Sequence, residues 1–174
     1  REQWQKPLPV PFVVNGSEEL VRVSAGATPI SSGTVYRARF EKEFVRYLWH
    51  DAGSNGSAGY WEAQYADGRV GYYGADSAAQ PVVNATVVGS RGTFRDHLVE
   101  IVDVNGHKAR YDYVKDGSYS LLDRVGYVFK ANGDPRFSLA FAYEDRSDRI
   151  ADCAPGVDVV LSKRLKTVSI FSNS

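Results

Sequence analysis

The chain has 174 residues, enough for one domain, and its 21 Lys and Arg balance 21 Asp and Glu to a formal net charge of zero. A neutral chain lacks the basic excess of a nucleic-acid binder, and 43% hydrophobic with 24% charged residues excludes a disordered one. No apolar run approaches the roughly 18 residues needed to span a membrane, while aromatics reach 13%, with 11 Tyr, 8 Phe and 3 Trp.

The chain opens at Arg1 with no charged start or apolar core, so either a removed leader or an expressed fragment is expected. Residues 1–11, with Pro7-Leu8-Pro9-Val10-Pro11, read as an extended arm on a single β domain covering residues 1–174. Three glycosylation sequons follow, at Asn15, Asn55 and Asn84, two of them in Gly/Ser-rich stretches; they point to a secreted glycoprotein.

Turn dipeptides then alternate with short aromatic or β-branched runs. Strands are expected at Pro11–Val14, Leu20–Val23 and Thr34–Phe40. Phe40, Phe44, Tyr47 and Leu48 sit at helical spacing but also extend an alternating pattern from Tyr36; a long strand is preferred, with a short helix as the alternative. A hairpin is expected around Asp67-Gly68, placing Trp61, Tyr65, Val70 and Tyr72 on one face and Tyr60, Glu62, Gln64 and Tyr73 on the other. Val82–Val88 is a further strand. The Asn105-Gly106 hairpin, read as a two-residue turn, sets Val104 opposite His107, Val102 opposite Ala109, Leu98 opposite Tyr113, and Asp103 opposite Lys108. Ser118–Leu122, a third hairpin around Asn132-Gly133, Val157–Ser162 and Leu165–Phe171 complete the series. The expectation is an all-β chain, an antiparallel barrel or sandwich of about nine to eleven strands.

The chemistry-bearing residues are sparse. His50, His97 and His107 have no metal spacing, and no cofactor fingerprint appears. Asp145, Asp148 and Asp152 with Arg146 and Arg149 read as a solvated charged loop. Cys153 stands alone, so it either packs as a small hydrophobe or links two copies in a homo-oligomer. The Tyr60–Ala75 hairpin carries aromatics on both faces where a core needs one; Tyr60, Trp61, Glu62, Tyr65, Tyr72 and Tyr73 are therefore the candidate ligand-binding residues. Flat rings among hydrogen-bonding groups suit a carbohydrate or a small apolar molecule.

The run Tyr65-Ala66-Asp67-Gly68-Arg69-Val70-Gly71-Tyr72-Tyr73-Gly74-Ala75-Asp76, with Gln80-Pro81 after it, resembles the chitin-binding segment of arthropod cuticle proteins. Ser77-Ala78-Ala79 departs from that family's pattern. The resemblance implies an aromatic sheet face packing on chitin through Tyr65, Tyr72 and Tyr73. The expected function is thus a secreted, non-catalytic binding or structural role. The alternatives are a small β-barrel enzyme, with Glu62, Tyr73 and His50 as its candidates, and a self-assembling interaction module.

Overall fold

The computed structural model describes residues 12–23, 33–51, 59–89, 92–153 and 156–173. The expected arm at residues 1–11 and the sequon at Asn55 lie outside them.

Thirteen strands are described: β1 Val13–Val14, β2 Glu18–Arg22, β3 Thr34–Ala38, β4 Arg46–His50, β5 Tyr60–Gln64, β6 Val70–Tyr73, β7 Thr86–Gly89, β8 Gly92–Asp96, β9 Leu98–Val102, β10 Lys108–Asp116, β11 Tyr119–Phe129, β12 Pro135–Asp152 and β13 Val159–Ser172. Eleven form one antiparallel sheet in the order β1-β2-β3-β4-β5-β6-β9-β10-β11-β12-β13. β7 and β8 pair separately, and the main sheet closes the gap by joining β6 to β9. The fold is all-β, in the sandwich or barrel-like class, as the alternation of apolar runs and turn residues requires.

Neither the long strand preferred for Phe40–Trp49 nor its helical alternative is realised. Residues 39–45 are irregular, and β4 begins at Arg46. Among the described residues the helical element is a single 3-10 turn, Val83–Ala85. The expected charged loop is instead strand: Asp145, Asp148 and Asp152 lie within β12. Its charges stay solvated by pairing locally, Asp145 with Lys163 across the hairpin and Arg146 with Asp148 at 2.8 Å.

One turn geometry corrects the expected register in all three hairpins. At Asn105-Gly106 the loop has three residues, not two: Asp103 N–H donates to the His107 carbonyl, and Gly106 N–H donates to the Asp103 carbonyl. Gly106, at φ 81°, takes the left-handed position of a type I turn closed by a bulge. Lys108 therefore faces Val102, and Ala109 faces Ile101. The same pattern occurs at Asp67-Gly68 and Asn132-Gly133, where Gly68 and Gly133 have φ 85° and 86°. A one-residue slip exchanges the two faces of one strand relative to the other.

Core side chains are small or aliphatic: Leu48, Ala63, Ala75, Ala85, Val87 and Val99 are each at most 2% exposed. β7, β8 and the 3-10 turn form a local second layer against β10 and β11. His97 N–H donates to the Ala85 carbonyl at 2.8 Å, and the Lys115 ammonium donates to the Thr86 carbonyl and to Ser120 Oγ.

Candidate functional site

With the corrected register, β5 and β6 pair Trp61 with Tyr73, Glu62 with Tyr72, Ala63 with Gly71 and Gln64 with Val70. Tyr73 thus shares a face with Trp61 and Tyr65, and Tyr72 shares one with Tyr60, Glu62 and Gln64. This reverses the expected placement of Val70, Tyr72 and Tyr73. The six candidates divide evenly between two faces, and the three tyrosines of the cuticle-like run do not share one.

The aromatic face begins with Thr34, Trp49, Trp61 and Tyr73 in one cross-strand row and Tyr36, Tyr47, Ala63 and Gly71 in the next. Phe12 lies over it. Its ring centroid is 5.0 Å from Trp61 and 5.6 Å from Tyr36, edge-on to both. Trp49 and Trp61 are 5.0 Å apart and tilted by 55°. Such rings pack on one another by edge-to-face contact, each pair contributing about 0.5–1.5 kcal/mol beyond area burial. Alternation in Tyr36, Tyr47 and Trp49 could have revealed these three partners; Phe12 is brought in by topology alone. Further along, Tyr65 and Tyr73 share a hydroxyl hydrogen bond of 3.0 Å. Both rings lie 3.4 Å from the position a Cβ on Gly71 would take, so glycine there lets them fold over the strand. Burial, then the Tyr65 hydrogen bond, holds the Tyr73 phenol protonated well above the usual range.

The row of small residues continues through Ile101 and Ala109 to Tyr127 and Phe137. Beside it Val125 faces Leu139, Leu139 faces Ile170, and Phe141 faces Val168. This end of the apolar face is open: Leu165, Val168 and Ile170 are 51%, 44% and 75% exposed.

The polar face has a different chemistry. His50 Nε2 lies 3.0 Å from Glu62 Oε2, and Gln64 Nε2 donates to Glu62 Oε1 at 2.8 Å. The His50 ring stacks on Tyr60 with centroids 4.5 Å apart. Both Glu62 oxygens are therefore engaged, and Tyr73, the third candidate of the enzymatic alternative, lies on the opposite face. His50 and Asp51 do not bond each other; Asp51 instead accepts the Trp49 indole N–H at 2.8 Å. One pair over, Tyr72 faces Glu100, a carboxylate only 1% exposed. Ser77 donates its hydroxyl at 2.6 Å and its amide at 3.1 Å to one Glu100 oxygen, and Lys108 donates to the other at 3.1 Å. Burial pushes this carboxyl up, but the Ser77 and Lys108 donors outweigh it and hold the pKa below its ordinary value.

Asn15 and Asn84 are exposed, Asn84 on the rim of a cleft of about 370 Å³ that Tyr113 and Asp112 also line. Cys153 is exposed and donates to Asp158 at 3.2 Å, a contact that raises the thiol pKa. Among the described residues no three His, Cys, Asp or Glu side chains cluster to hold a metal, and no helix is long and apolar enough to cross a membrane.

The sequence matches no family model and no curated protein. Its fold is nevertheless shared. The N-terminal domain of effector protein SpvB from Salmonella typhimurium strain LT2 superimposes with a TM-score of 0.68 at 17% identity, over 95% of this chain and 67% of that one. The crystal structure of TcdB2-TccC3 gives a TM-score of 0.68 at 17% identity over 92% of this chain. This chain spans about a tenth of that one, matching 10% of its length.

Proposed function

We propose that this chain is a non-catalytic binding or structural module of a secreted protein, and that its aromatic and aliphatic sheet face is the surface that meets a partner protein. The observation that carries the reading is a long run of apolar side chains on one face of the sheet that ends in exposed residues. Apolar side chains occupy one face from Phe12 and Tyr36 through Trp49, Trp61 and Tyr73 to Leu139 and Ile170, and its far end is substantially exposed. Contiguous exposed apolar surface on a folded chain marks an interaction site. The fold-sharing proteins support the modular part of the reading, since one is a domain of an effector protein and the other is about ten times this length. Exposure of Asn15 and Asn84 supports passage through a secretory route.

Phe12 stands edge-on to Trp61 and Tyr36 and lies stacked on Trp49 at 6.3 Å, so the cluster's rings pack on one another, whereas a sugar ring stacks best on a flat, solvent-facing platform. This favours an apolar protein surface over a polysaccharide. Binding of the apolar dye anilinonaphthalene sulfonate, retention on insoluble chitin and sedimentation at rising concentration test the reading together. Dye binding or concentration-dependent association without chitin retention supports it. Chitin retention that is abolished by Trp61→Phe, with no dye binding, replaces the protein partner with a carbohydrate.

A further inference from the structure

At one end of β3, β4 and β5 the polar face carries Arg37, Arg46 and Gln64 in a single cross-strand row. Two arginines directly opposite each other repel and need an anion nearby. Glu41 approaches Arg37, but both of its oxygens lie 3.4 Å from Nη1, long for a charge-assisted hydrogen bond. Among the described residues no carboxylate pairs with Arg46, and its Nε is buried with no hydrogen-bond partner. A buried donor on a charged group is costly to leave unmade. The same side chains line an open cleft of about 300 Å³ together with Phe44 and Tyr65. Phe44 has φ 52° and is 71% exposed. A bulky residue in the left-handed region with its ring in water is strained and uncovered at once, a combination that gathers at ligand sites.

We propose that this cleft binds an organic carboxylate with an apolar body, the Arg46 guanidinium taking the carboxylate and the Phe44 ring packing on the body. Arg37 adds a second positive charge, and Glu41 sets a competing negative one that excludes weakly held anions. A planar guanidinium fork matches a carboxylate geometrically, which a lysine would not. The size of the cavity suits one small acid or one terminal residue of a peptide. The site touches the aromatic face only through Tyr65, and it goes beyond the role proposed for that face.

Titrations of the whole chain with benzoate, N-acetylphenylalanine and inorganic phosphate, read from the Arg46 Nε–Hε resonance and from melting temperature, test the proposal. Saturable shifts are expected for both carboxylates, with affinities of about 1–10 mM. Phosphate, having no apolar body, should bind at least about tenfold more weakly. Arg46→Gln should lose about tenfold for both carboxylates, Phe44→Ala should lose affinity for them but not for phosphate, and Glu41→Gln should tighten all three. A preference for benzoate assigns a free small acid, and one for N-acetylphenylalanine assigns a peptide terminus; both fit the proposal. Should Arg46→Gln unfold the chain, Arg37→Gln, whose side chain is 43% exposed, gives the same comparison in a folded protein. An unmoved Arg46 resonance with all three probes overturns the proposal. So does equal loss of binding in Arg110→Gln, a distant arginine paired with Asp112.

Discussion

Two carboxyls, the half-buried Asp96 and the buried Glu100, respond to pH in opposite directions. Asp96 ends β8 against Gly74, has one oxygen buried without a partner, and burial pushes its pKa up from 3.8 to about 7. Its neighbour His97 stacks on Tyr113 and is driven down to about 4 by burial and then by Arg95 and Lys115, so it is neutral at pH 7. A carboxyl whose folded pKa is raised stabilises the fold fully below the unfolded value, and that contribution is lost as pH rises through the folded one. Asp96 therefore lowers stability between about pH 4 and about pH 7, by at most about 1.4 kcal/mol per pH unit, while His97, whose folded pKa is depressed to about 4, raises it with pH over nearly the same window. Asp96→Asn should remove the falling contribution, leave stability rising with pH through the His97 window, and melt higher than the wild type at pH 8. Glu100 works the other way: its lowered pKa contributes stability above the unfolded value and loses it as pH falls through the folded one. Glu100→Leu should cost about 2–3 kcal/mol at neutral pH, because Ser77 and Lys108 lose their acceptor. Denaturant unfolding of both variants across pH measures the two effects.

At the scale of elements, three turns govern which side chains meet. Gly106 at φ 81° has open space around its missing Cβ, so Gly106→Val pays only backbone strain, about 1 kcal/mol or somewhat more, read as a lowered midpoint in urea. Gly71→Val is of a different kind. A side chain there displaces the Tyr65 and Tyr73 rings, at a cost of about 1–3 kcal/mol and with loss of their shared hydrogen bond. Most of the strand content is legible in the chain because β-branched and aromatic runs are set between turn residues. The faces are not, because Asx-Gly is compatible with both a two-residue turn and a three-residue turn with a bulge. The deciding signal at one hairpin was present. Asp103 sits at the first position of a type I turn, and its Oδ1 accepts the amides of Asn105 and His107 at 2.8 and 2.9 Å. The same misreading at Asp67-Gly68 exchanges Tyr72 for Tyr73 and splits the candidate site wrongly. The β12–β13 hairpin was read as a loop between shorter strands, since Asp145 to Asp152 are charged. Cross-strand partners such as Lys163 and Arg164, distant in sequence, are what make strand tolerable there.

Over the whole molecule, an eleven-stranded antiparallel sheet whose aromatics gather on one partly open face explains why aromatics are abundant yet few are fully buried. A sheet covered on one side alternates apolar and polar residues, and here the apolar side is the one left partly open. Phe12 and the Trp61 cluster belong to that side; His50, Tyr60 and Glu62 belong to the other. Trp61→Ala, which empties the centre of the cluster, should cost about 3–5 kcal/mol of stability and so cannot separate folding from binding. Phe12, 47% exposed at the sheet's margin, can. The most direct test is the affinity of anilinonaphthalene sulfonate for Phe12→Ala and Tyr60→Ala, with melting temperatures measured alongside. An aromatic-face interface predicts that Phe12→Ala weakens dye binding by about tenfold while Tyr60→Ala leaves it at the wild-type value. Loss of binding in Tyr60→Ala with Phe12→Ala unaffected would place the interface on the polar face and contradict the account.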